Sequence, residues 1–180
     1  MNFPRAPRSP LTYEPHLSLT PDTPPLDSDE YARRFVIEDV FPTIDGGRHA
    51  VKRVVGEPID VWADIFRDGH EVTAAALRWR REGERGWRTA SLVPTDNDRW
   101  HGGFTPSEIG RHVFVIEAWT SNFATWRRDT LAKQKAGVAI ALDLKEGREL
   151  IAAAVARAGD AAGRLQAALN MFEATGEAGT

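Results

Sequence analysis

Ile59-Asp-Val-Trp-Ala-Asp-Ile-Phe66, the heart of the block PIDVWADIFRDGHE (Pro58 to Glu71), places Ile59, Val61, Ala63 and Ile65 in alternation with Asp60, Trp62, Asp64 and Phe66. Successive side chains of a strand point to opposite faces, so this stretch predicts a β-strand with one face toward a core. Upstream, RFVIEDV (Arg34 to Val40) can pair with it as a first strand, and the Asp45-Gly-Gly47 triplet marks a turn. Downstream, Ala75, Leu77 and Trp79 alternate with Ala76, Arg78 and Arg80, and the chain returns after Glu82 to Gly86 through Trp87 to Val93, which predicts a hairpin. A second turn at Pro94 to Asp98 leads into RWHGGFT. GRHVFVIEAWT follows, and its apolar run from Val113 to Ile116 predicts a central strand covered on both faces.

Six or seven strands at spacings of about 10 residues, with no helix between them, predict a mainly β fold: an immunoglobulin-like antiparallel β-sandwich. The sandwich is expected over residues 32–133, without the cysteine framework of an antibody domain. EAWTSNFATWRRD, Glu117 to Asp129, reads as a strand and a turn leading toward helices. Ile140, Leu144, Ile151, Val155 and Ala158 then fall on one helical stripe, interrupted by Gly147, which costs a helix about 1 kcal/mol relative to alanine. A second helix is expected from near Asp160, a good N-cap, with Leu165, Leu169 and Phe172 on one face. Residues 134–180 are thus expected to be an α-helical segment, an incomplete helical domain.

Seven of the eleven prolines lie in the first 30 residues, so residues 1–31 are expected to be a disordered proline-rich tail. That stretch holds two arginines and five acids, leaving 21 basic and 21 acidic residues in the remainder. A neutral folded part has no electrostatic footprint for nucleic acid. No apolar run approaches the roughly 20 residues that span a bilayer, and no signal peptide is legible, so a cytoplasmic location is expected. With no cysteine there is neither a disulfide nor a thiolate metal site.

The five histidines show no metal-ligand spacing, although His101 and His112 could approach across a hairpin. Asp96-Asn-Asp98 looks like a metal-holding acidic pair, but the same residues suit a β-turn. No serine stands in a nucleophile elbow, and Gly46-Gly47 fits no phosphate-binding fingerprint. No catalytic, cofactor-binding or metal-binding residue is therefore assigned. The candidates that remain are contact residues. Trp62 and Trp126 could offer rings to a sugar or a neighbouring domain. Arg67, Asp68 and His70 are presented by the loop after the strongest strand, and Arg127 follows Trp126 in the second block.

The segments from RFVIEDVFPTIDGG to EAWTSNFATWRRD, and above all VVGEPIDVWADIFRDGH (Val54 to His70), closely resemble the N-terminal region of the α-1,4-glucan:maltose-1-phosphate maltosyltransferases. The resemblance covers about residues 33–158. It implies a β-sandwich and helical region ahead of a (β/α)8 catalytic barrel, in a homodimer that moves maltosyl units from maltose 1-phosphate onto α-glucans. The barrel would carry the aspartate nucleophile and glutamate acid/base. Since a barrel takes about 250 residues, neither residue has a counterpart here, and the chain is expected to be a fragment acting as scaffold and dimerisation region. The competing expectation is a carbohydrate-binding module for α-glucan, working through Trp62 and Trp126.

Overall fold

The computed structural model describes residues 35–177, so the expected proline-rich tail lies outside the described residues. Six strands come first: β1 (Phe35–Phe41), β2 (Ile59–Arg67), β3 (Thr73–Arg81), β4 (Arg88–Pro94), β5 (Arg99–Phe104) and β6 (His112–Thr120). All neighbours pair antiparallel, in the order β1-β2-β5-β4-β3-β6. The ladder is thin at one point only, where β4 meets β5 through Val93↔His101 and Pro94↔Trp100. There the sheet folds over, and the inner faces of β1-β2-β5 and β4-β3-β6 close on one core as a β-sandwich.

That core is the alternation of β2 made physical. Val61, Ala63 and Ile65 are buried, against Ala75 and Leu77 of β3, Leu92 of β4, and Trp100 and Phe104 of β5. Burying side chains such as Val61, Ile65 and Leu77 stabilises the fold by about 1.5–3 kcal/mol each. Trp79 stacks on Phe104 at 5.2 Å, and Phe114 of β6 tilts against Phe104 at 6.5 Å. Trp100 completes its hydrogen bonding by donating Nε1–H to the Ile65 carbonyl at 3.2 Å.

β6 corrects one expectation: among the described residues it is the last strand of the order and pairs only with β3. Phe114 and Ile116 face the core, while Val115 is 42% exposed opposite Arg78. An apolar run is compatible with one buried face when long arginine stems flank the other.

Three helices follow: α1 (Asn122–Lys135), α2 (Ala141–Arg157) and, after a 3₁₀ turn at Gly159–Ala161, α3 (Ala162–Glu177). The FATWRR stretch is therefore helix, not turn. Ser121 caps it, accepting the Ala124 N–H at 3.2 Å, and Gly137 with φ +71° terminates it. Asp160 lies inside the 3₁₀ turn instead of capping α3. α2 packs against both α1 and α3. No helix among the described residues is long and apolar enough to cross a membrane.

On the outer face of β1-β2-β5, Arg99 grips Asp64 with Nε at 2.7 Å and Nη2 at 2.9 Å, and reaches Asp39 at 2.6 Å. Asp39 sits at φ +48° in the bulge that shifts the β1–β2 register. The hydrogen bond from Arg99, aided by its charge, holds the Asp64 carboxyl below its ordinary 3.8. A carboxylate depressed by folding adds stability that is complete above the unfolded value and disappears as pH falls through the folded one. Asp64→Asn is therefore expected to lower the melting temperature at neutral pH and to flatten its decline below about pH 4. Thermal melts across that range check this; an unchanged acid slope would remove Asp64 from the acid transition.

Candidate functional site

The two sequence blocks meet in space. Arg67, the last residue of β2, has a side chain only 5% exposed. It donates Nη1–H to the Thr120 hydroxyl at the end of β6, Nη2–H to Glu71 at 2.9 Å and Nε–H to the Asp68 carbonyl at 2.8 Å. Its guanidinium also lies 5.2 Å from the centre of the Phe35 ring. A planar fork serving three acceptors while stacking on an aromatic is work for arginine and not for lysine.

Around it, the loop from Asp68 to Val72 is fastened to the start of α1. Val72 donates its N–H to the Thr125 hydroxyl at 2.8 Å, and its carbonyl accepts the Ser121 N–H at 2.8 Å. Arg128 Nη1 donates to the His70 carbonyl at 2.5 Å. Gly69 allows the turn: it lies at φ +105°, and a Cβ there would stand 2.6 Å from Glu71 Oε2. The result is a joint of four strand, loop and helix contacts between the sheet and the helical segment.

The expected contact residues therefore divide. Arg67 is buried in the joint, and His70 enters it through its backbone. Asp68 and His70 are exposed at the loop surface. Arg127 is exposed on α1 and takes no part, whereas its neighbour Arg128 does. Glu71, Thr120, Ser121, Thr125 and Arg128 are the joint residues that sequence reading missed. The usable signal was Ser121 as an N-cap, which would have turned FATWRR into a helix presenting Thr125 and Arg128 one turn apart.

Both tryptophans are half-buried and packed against other aromatic rings. Trp62 stacks on Phe41 with centroids 3.7 Å apart and an interplanar angle of 10°. Trp126 is half-buried among the helices: its Nε1–H donates to the Asp143 carbonyl at 2.6 Å, and Phe123 and Phe172 lie 5.3 and 5.9 Å from it. Gly147 of α2 is buried beneath its indole. A second tryptophan pair, Trp100 and Trp119, lines a recess between β3 and β4.

The other sequence candidates sort simply. Asn97 and Asp98 take φ of +54° and +60°, and Thr95 and Arg99 close the turn through Thr95 N–H to the Arg99 carbonyl at 2.6 Å. Positive φ at both central residues is the mark of a tight hairpin turn. His101 lies opposite Trp62 and Val93, and His112 opposite Arg81, so the two stand on different strand pairs. Among the described residues no group of His, Cys, Asp and Glu is arranged to hold a metal ion. Among the described residues, hydrogen bonds from Arg99, Arg88 and Arg128 hold the carboxyls of Asp64, Glu84 and Asp129 below their ordinary values.

Residues 33–179 match the family described as alpha-1,4-glucan:maltose-1-phosphate maltosyltransferase, domain N/S. The chain is 40% identical to the maltosyltransferase of that name from Rhodospirillum rubrum, over 78% of this chain and 24% of the relative. Those of Burkholderia pseudomallei and Myxococcus xanthus are 42% and 44% identical, over 78% and 68% of this chain but 12% and 19% of the relatives. The chain thus spans at most about a quarter of the length of these relatives.

Proposed function

Because the chain belongs to the α-1,4-glucan:maltose-1-phosphate maltosyltransferase family, we propose that it is the N-terminal, non-catalytic region of such an enzyme. In this reading the whole protein, cytoplasmic and homodimeric, transfers maltosyl units from maltose 1-phosphate to α-1,4-glucans, and a (β/α)8 barrel elsewhere in it performs the chemistry. The region is organised as a sandwich of immunoglobulin-like type and a helical segment, with α1 running from one into the other. Its task is to hold that segment at a fixed angle to the sheet, as part of a dimerisation and bracing surface.

The observation that carries this reading is the joint. The two blocks on which the resemblance rests, VVGEPIDVWADIFRDGH and EAWTSNFATWRRD, are fastened to each other directly and through the adjoining Val72. Arg67 reaches Thr120, His70 reaches Arg128, and Val72 reaches Ser121 and Thr125.

The chain incubated with maltose 1-phosphate and a linear α-glucan is expected to release no phosphate above background. Turnover by the chain alone would overturn its non-catalytic assignment. In the full-length enzyme, Arg67→Ala is expected to shift sedimentation from dimer toward monomer; an undisturbed dimer would separate the joint from assembly.

A further inference from the structure

β4 changes partners along its length: through Leu92 it pairs with β3, and at Val93 and Pro94 it pairs with β5. Thr73 and Ala74, at the start of β3, are matched to Thr120 and Trp119 of β6 but have no ladder partner on the β4 side. A recess of about 300 Å³ opens at this point. Small-molecule sites begin at roughly this size.

Trp100 and Trp119 both line the recess. Trp100 is fixed by its bond to Ile65, while Trp119 is half-buried and its indole N–H has no partner among the described residues. The space exists because β3 carries Ala74, Ala75 and Ala76 in succession, where strands favour branched and aromatic residues. Thr73, Thr89 and Ser91 add hydroxyls, and no lining side chain is ionisable. Because consecutive strand residues aim their main-chain groups to opposite sides, one of Thr73 and Ala74 turns both N–H and C=O toward the gap.

This chemistry selects its ligand. A lining without charge offers no charge-assisted hydrogen bond to a phosphate, a carboxylate or a cation. A peptide strand would need a longer open edge than two residues, strands being typically about 5–6. Indole surface beside hydroxyls and an open peptide unit suits a neutral ring with an apolar C–H face and a hydroxyl rim. We propose that the recess is a binding subsite for a neutral hexose, and that the hexose belongs to an α-1,4-linked glucan. The sugar class stands on the lining, while the linkage rests on the family reading above.

The test titrates the ¹⁵N-labelled 180-residue chain with maltotriose, cellotriose and inorganic phosphate, following the six indole N–H resonances. Maltotriose is expected to shift the Trp119 resonance saturably and to leave that of Trp126 in place. Trp119→Ala is expected to weaken binding roughly tenfold, the loss of one stacked ring. Ala74→Val, which narrows the recess with a residue strands favour, is expected to do the same without changing the melting curve. A Trp119 resonance unmoved by any sugar, or sugar binding indifferent to both variants, overturns the site. Equal response to cellotriose overturns the α-1,4 assignment alone, and a shift on concentrating the chain without sugar assigns the recess to a second copy instead. The phosphate-release assay tests the non-catalytic assignment separately, so the two can fail independently.

Discussion

Gly147→Ala is expected to destabilise the helical segment by about 2 kcal/mol, against the usual direction of this exchange. In an open helix alanine gains about 1 kcal/mol over glycine. At Gly147 a Cβ would lie 2.0 Å from Cζ2 of Trp126 and 2.5 Å from Cε2. These are ring atoms, so the whole indole must move. Moving it breaks the Nε1 bond to the Asp143 carbonyl, worth about 1 kcal/mol, and disturbs the edge-on contact with Phe172, worth about 0.5–1.5 kcal/mol. Because Asp143 also takes the Lys133 ammonium at 2.5 Å, the α1–α2 contact loosens as a unit.

A second variant separates this account from any other effect of the exchange. Once Trp126→Ala has removed the indole, at a cost of about 3 kcal/mol, Gly147→Ala should become stabilising by about 1 kcal/mol. The change of sign is a coupling that only contact between the two residues produces. Urea unfolding followed by helical circular dichroism reads all four chains. If Gly147→Ala raises the midpoint with Trp126 present, the packing described for α1 and α2 is wrong.

Arg67→Ala is expected to cost about 3 kcal/mol, and Arg67→Lys to recover little of it. The alanine leaves Thr120, the Asp68 carbonyl and Glu71 without their shared donor and uncovers Phe35. An ammonium can satisfy one of these acceptors well but cannot present a flat fork to three. The same variants should speed amide exchange at Val72 and Thr125 far more than at Leu77 in the core. Uniform exchange across the sheet would show that Arg67 serves general stability and not the joint.

Much of the sandwich was legible because β2 writes its two-residue period without interruption, and its core set Val61, Ala63 and Ile65 is buried as expected. The position of β6 was not, since an apolar run reports burial of side chains but not which strand lies beside them. The α1 helix was missed for a different reason. Phe123 and Leu131 are 45% and 40% exposed, and Arg127 and Arg128 share the same turns, so no apolar stripe stands out. Gly147 was legible only as a helix breaker, because its reason lies 21 positions away at Trp126. Of the candidate contacts, Arg67 could be picked out by its place after a strand. Its partner Thr120 could not, being 53 residues distant along the chain.

The passage from β6 to α1 takes a single residue, Ser121. A strand repeats every two residues, and a helix turns about 100° per residue with a rise of about 1.5 Å. With one residue between them, the two periodicities are locked in phase, and Thr120, Thr125 and Arg128 meet the Asp68 to Val72 loop only in that phase. Exchange of side chains here leaves the phase intact. Gain or loss of one residue swings every helical side chain by more than a quarter turn, so at this place the length of the chain is the more stringent specification.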